Sequence, residues 1–140
     1  MWTSRRADFP NTIQTGFSVA EIVISPEPVL YSGIIKPDVA ALIAPEGRDK
    51  IARLTMPMEK TDTIYFAEGL GDVDSSANQL PLEFPQSAKK EVRKNISALT
   101  AGYLTKQLNL FPFEALKEAV RKIQNPKIAE INLGVLAHFE

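Results

Sequence analysis

Along the first 86 residues, short apolar runs alternate with turns marked by proline and glycine. From residue 87 the apolar positions recur every three or four residues instead. In residues 16–25, Phe17, Val19 and Val23 fall on one side of a period-2 pattern, and Ala20, Ile22 and Ile24 on the other. Both faces are mostly apolar, with Glu21 the exception, which predicts a strand covered on two sides. Pro26 and Pro28 donate no backbone N–H and stop its ladder. Residues 39–44 are wholly apolar between Pro37 and Pro45, the pattern of an interior strand. A short helix is predicted over 45–54. Pro45 suits its first position, Glu46 and Asp49 its first turns, and Ile51 and Leu54 face inward. Thr63, Ile64, Tyr65 and Phe66 predict a strand over 63–67. Residues 68–78, EGLGDVDSSAN, have loop composition, and a last short strand over 79–84 is closed by Pro85.

The helical half begins at residue 87. Val92, Ile96, Leu99, Tyr103, Leu104 and Leu108 form one apolar stripe, with Lys89, Lys90, Arg93 and Lys94 on the outer side. Gly102 inside this helix costs about 1 kcal/mol against alanine, so a close approach of another element is expected there. A helix over 113–123 buries Phe113, Leu116, Val120 and Ile123. After Asn125 and Pro126, a final helix over 127–139 turns Ile128, Ile131, Val135 and Leu136 inward. Residues 1–15 are polar and read as a loop or arm, with a short strand at 12–15. The whole predicts one α/β domain over residues 1–140, a three-layer fold with a mixed sheet of four or five short strands and packed helices.

Composition narrows the function classes. Hydrophobic residues make up 44% and charged residues 24% of 140, ordinary values for a globular chain. A formal net charge of −1 gives no electrostatic footprint for nucleic acid or an anionic membrane. The count of zero cysteines excludes disulfides, a thiolate nucleophile and thiolate ligands for zinc or iron–sulfur clusters. With no apolar leader at the N-terminus, a cytoplasmic protein is expected.

Candidate chemistry is sparse. Gly69-Leu70-Gly71 is a lone G-x-G without a third glycine. Gly71-Asp72 opens like the G-D-G…N motif that holds thiamine diphosphate, but Val73 stands where glycine is needed and Asn95 falls in a predicted helix. The acidic turn is the plainer reading. His138 is the sole histidine, so no nucleophile–base–orienter set is expected, and no metal site.

Several pieces, taken in order, resemble one family. Residues 18–25 (SVAEIVIS), Pro28-Val29, Pro37-Asp38-Val39 and Pro45-Glu46-Gly47 are similar to the strand, turn, strand and acidic-start helix of gamma subunits of 2-oxoacid:ferredoxin oxidoreductases. Residues 95–108 and the run from Phe113 to Ala119 resemble that family's closing helices. The glycine-rich segment G-x-G-G-Q-G with which such subunits begin is not present. This implies a product extending upstream of Met1 or a shortened relative. The resemblance implies an oxidoreductase complex acting on pyruvate or another 2-oxoacid, with alpha, beta and ferredoxin-like subunits as partners. Thiamine diphosphate and iron–sulfur clusters would sit in those partners, coenzyme A would receive the acyl group, and this chain alone would bind no cofactor. Loop residues Arg5, Arg6, Asp8, Thr15 and Gly16 are the candidates to face the reaction centre. A sheet edge left bare by the missing segment implies self-association, as a homo-oligomer, when the chain is isolated. The contrary class is a free-standing α/β binding or interaction domain.

Overall fold

The computed structural model describes residues 2–8, 18–30 and 33–140, and the fold is α/β. The chain divides into two compact units, Met1–Pro81 and Leu82–Glu140. Among the described residues, no helix is long and apolar enough to cross a membrane.

The first unit opens with an antiparallel ribbon. Strand β1, Trp2–Asp8, pairs with β2, Val19–Ser25, in a register that sets Thr3 opposite Ile24, Arg5 opposite Ile22 and Trp2 opposite Ser25. The loop or arm expected over residues 2–8 is therefore a strand. Its polar side chains hide the period, because the pairing rests on backbone hydrogen bonds that any side chain permits. The strand expected at 12–15 lies outside the described residues. β2 is not covered on two sides as its pattern predicts. Thr3, Arg5, Ala20 and Ile22 are exposed on one face, Ile22 at 61%.

A three-stranded parallel sheet follows, in the order β3 (Val39–Leu42), β4 (Thr63–Phe66), β5 (Asn78–Pro81). Among the described residues β3 pairs only with β4, so the interior strand is β4 rather than the apolar 39–44 run. β3 owes its burial to helix α1, Arg48–Thr55, which packs on it. A 3-10 turn at Pro45–Gly47 leads into α1, with proline at its start as expected. Leu42, Ile51, Met58, Ile64, Val73 and Ala77 form the core of this unit.

Asp62, only 5% exposed, fastens the turn before β4. Its carboxylate accepts from the Glu59 N–H at 2.8 Å and pairs with the Lys36 ammonium at 3.1 Å. The Glu59 bond first, and Lys36 after it, hold this carboxyl below the usual carboxylate range. A depressed folded-state value contributes stability that is fully present above the ordinary Asp value of 3.8 and is lost as pH falls from there through the lowered folded-state value. Asp62→Asn is therefore expected to lower the denaturation midpoint at neutral pH and to flatten its decline on acidification. Urea titrations across pH would check this; parallel midpoint–pH curves for both proteins would refute it.

The second unit is helical. A 3-10 turn, Gln86–Ala88, precedes α2 (Val92–Leu108), α3 (Phe113–Ile123), α4 (Pro126–Leu136) and a closing 3-10 turn, Ala137–Phe139. α2 bends at Asn95, whose φ of −124° is not helical, and ends on Asn109 in the left-handed region. The Asn125 side chain accepts from the Lys127 N–H and caps α4. Gly102 is the point of close approach that its position in the helix predicts. A Cβ there would stand 2.6 Å from Cε2 of Phe139 and 3.0 Å from Cδ2 of Leu136. Two clusters form the core: Ala88, Leu99 and Val135, and Val120, Ala129 and Leu136.

The apolar period overstates burial at one corner. Ile123 is 81% exposed and Ile128 and Ile131 are each 52% exposed, although all three fit inward-facing stripes. α4 shows why. Val135, further along the same stripe, is covered by Ala88 and Leu99, and that cover does not reach the first turns of the helix.

Candidate functional site

The deepest local organisation in the first unit surrounds the loop between β4 and β5. Phe66 ends β4, so the loop leaves the carboxyl end of a parallel strand, where open α/β sheets place ligands. Gly69 takes a φ of +80°, a conformation that glycine adopts without strain, and Asp72 turns the chain again at φ +62°.

Three ties hold this loop despite its composition. The Val73 N–H donates to Gln79 Oε1 at 2.9 Å, and Gln79 Nε2 donates back to the Val73 carbonyl at 2.7 Å. Arg48 Nη1 donates to the Gly71 carbonyl at 3.1 Å. Ser75 Oγ donates to the Thr55 carbonyl at 2.9 Å and accepts the Ala77 N–H at 3.2 Å. Polar groups of β5 and α1 thus satisfy backbone groups that the loop could not pair within itself.

The loop borders a shallow, open concavity of about 590 Å³ beside Phe66, Asp72, Asn78 and Gln79. Phe66 offers an apolar wall. Asp72 and Asn78, both exposed, offer a carboxylate and an amide. This set suits hydrogen bonding to a hydroxyl- or amine-bearing group. It contains no nucleophile–base pair. Asn95, the asparagine of the thiamine-diphosphate reading, lies in α2, a helix as the sequence predicts.

In the helical unit the structure assembles a set that the sequence argued against. His138 Nδ1 lies 2.8 Å from Ser87 Oγ, and its Nε2 lies 2.9 Å from Glu91 Oε2. A carboxylate only accepts, so Nε2 carries a proton; in the neutral imidazole Nδ1 then accepts and the Ser87 hydroxyl donates. That is the polarity of a nucleophile–base–orienter set. However, the Ala88 and Lys89 N–H groups are committed to the Pro85 and Gln86 carbonyls and cannot serve an oxyanion at Ser87. The cluster therefore acts as a clamp that joins the end of the chain to the start of α2. Nothing in the sequence signals it, because Ser87 and Glu91 lie 51 and 47 residues from the histidine.

Of the loop residues expected at a reaction centre, Arg5, Arg6 and Asp8 stand on β1, opposite Ile22, Glu21 and Val19. They belong to a paired strand and not to a loop. Thr15 and Gly16 lie outside the described residues. Among the described residues, no three His, Cys, Asp or Glu side chains converge as a metal-binding group. The sequence matches no protein-family model and no curated protein.

Proposed function

We propose that the chain is a gamma-type subunit of a 2-oxoacid:ferredoxin (or other acceptor) oxidoreductase, working in the cytoplasm. The observation that carries this reading is the order of its pieces. Pro37-Asp38-Val39 enters β3, Pro45-Glu46-Gly47 opens α1, and the stretches similar to the family's closing helices are α2 and α3.

In such a complex a 2-oxoacid is decarboxylated on thiamine diphosphate, electrons leave through iron–sulfur clusters, and the acyl group passes to coenzyme A. The donor set of this chain fits neither of the first two groups. It has no thiolate for iron, and Val73 replaces the glycine of the thiamine-diphosphate motif. Both groups are assigned to partner subunits. The role left to this chain is assembly and the shaping of the coenzyme A and substrate access region, for which the concavity beside Phe66 and Asp72 is the candidate.

Reconstitution with candidate thiamine-diphosphate-binding and ferredoxin-like subunits from the same organism tests the reading. The isolated chain is expected to be colourless and inactive. The assembled complex should reduce a viologen dye only with both 2-oxoacid and coenzyme A present, and should lose that activity when this chain is omitted. Full activity without the chain, or a flavin or cluster bound to the chain alone, would overturn the proposal.

A further inference from the structure

We propose that the concavity at the carboxyl end of β4 receives an uncharged, amine-bearing base and leaves the phosphates of the same ligand to partner subunits. The inference rests on the subunit reading above, in which that base is the adenine of coenzyme A.

Shape sets the first condition. The concavity is shallow and open, and its apolar wall is the half-buried ring of Phe66. A flat ring laid on such a wall buries one face and needs no enclosing pocket. Gly69 and Gly71 add no side chains to the rim. A Cβ at Gly71 would stand 3.2 Å from Cε2 and Cζ of Phe66, so any side chain there would crowd the wall.

Hydrogen bonding narrows the class. Asp72 and Asn78 line the concavity, are exposed, and have no side-chain partner among the described residues. Gln79, by contrast, spends its amide oxygen and nitrogen on Val73. A ligand is thus offered one group that only accepts and one that both donates and accepts. An exocyclic amine beside a ring nitrogen matches this set, and an asparagine amide pairs with adenine in that way. Asp72 is also held in place. Its φ is +62°, and on either side the Gly71 carbonyl and the Val73 N–H are tied to Arg48 and Gln79. Little ordering of the backbone remains to be done on binding.

Charge turns phosphates away. Residues 68–78 carry Glu68, Asp72 and Asp74 and no lysine or arginine. Arg48 reaches the loop but donates to the Gly71 carbonyl and does not line the concavity. An anion placed there meets carboxylates with no cation beside them. A small ammonium ion would leave the Asn78 amide and most of the ring wall unused.

The test titrates the full chain at low salt with adenosine, adenosine monophosphate, uridine and butylammonium, read by amide chemical shifts in NMR. Millimolar adenosine should shift the amides of Gly69, Gly71, Asp72 and Asn78. Adenosine monophosphate should bind about threefold more weakly, a gap that closes as salt rises. Uridine, which lacks an exocyclic amine, should bind about fivefold more weakly. Asp72→Gly keeps the left-handed turn without strain and removes the carboxylate. That variant and Asn78→Ala should each weaken adenosine about fivefold, with amide shifts away from the loop unchanged. Adenosine that leaves the four amides unshifted, or that binds both variants as it binds wild type, would overturn the proposal. So would uridine binding as well as adenosine, tighter binding of the monophosphate, or butylammonium shifting these amides more strongly than adenosine. The subunit reading stands or falls separately, on whether the reconstituted complex needs this chain.

Discussion

Phe139→Ala is expected to destabilise the helical unit by about 3 kcal/mol, the lower end of the range for phenylalanine truncation, because the ring is only partly buried. The ring packs against the cluster of Ala88, Leu99 and Val135, fills the notch above Gly102, and lies 6.2 Å from the Phe113 ring. Its neighbours are anchored independently, His138 to Ser87 and Glu91, and Glu140 to Lys117. The chain end thus stays in place while the cavity opens, and a held cavity collapses poorly. Gly102→Ala in the wild-type background should be destabilising by about 1–3 kcal/mol from overpacking. In the Phe139→Ala background the added methyl enters vacated space, and the helix propensity of alanine returns up to about 1 kcal/mol. The two changes should therefore couple strongly in a double-mutant cycle. Far-UV circular dichroism in denaturant reads α2 to α4 directly. A loss under 1 kcal/mol for Phe139→Ala, or simple additivity of the pair, would show that the notch is not filled as described.

Leu42→Ala should cost about 2–5 kcal/mol, much of what a small unit has to lose. Leu42 is 2% exposed and sits in one cluster with Ile51 of α1, Met58, Ile64 of β4, and Val73 and Ala77 of the tied loop. Truncation removes the contact shared by sheet, helix and loop, and the residues around it come from four separate segments that cannot close in together. Leu42→Met keeps the volume and should cost less than about 1.5 kcal/mol. Chemical denaturation separates the outcomes: similar, small losses for both substitutions would mean that β3 is not seated on this core.

The sequence made the elements legible where side-chain period and burial agree. The run of Thr63, Ile64, Tyr65 and Phe66 became β4, and Pro45 opened the turn into α1. Gly102 announced a close approach because its cost within a helix needs a compensating contact. Legibility failed where pairing or burial depends on what lies opposite. β1 is held by backbone bonds to β2, and its side chains carry no period. Ile128 and Ile131 obey the same period as Val135, yet period cannot tell how far a covering helix extends. The ties on the loop were illegible for a different reason. Gln79, Arg48 and Ser75 are ordinary polar residues until the fold brings them to the backbone groups they satisfy.

The ribbon has a bearing on how the protein behaves at high concentration. Among the described residues β1 pairs on one side only, so its outer margin is a template on which another extended chain could grow. Three of its seven positions, Arg5, Arg6 and Asp8, are ionisable, and Pro26 and Pro28 follow directly after β2. Charge and proline at such places act as gatekeepers against fibrous stacking. A charged edge of this kind is expected to resist templating its own copies, which leaves association to faces rather than to edges.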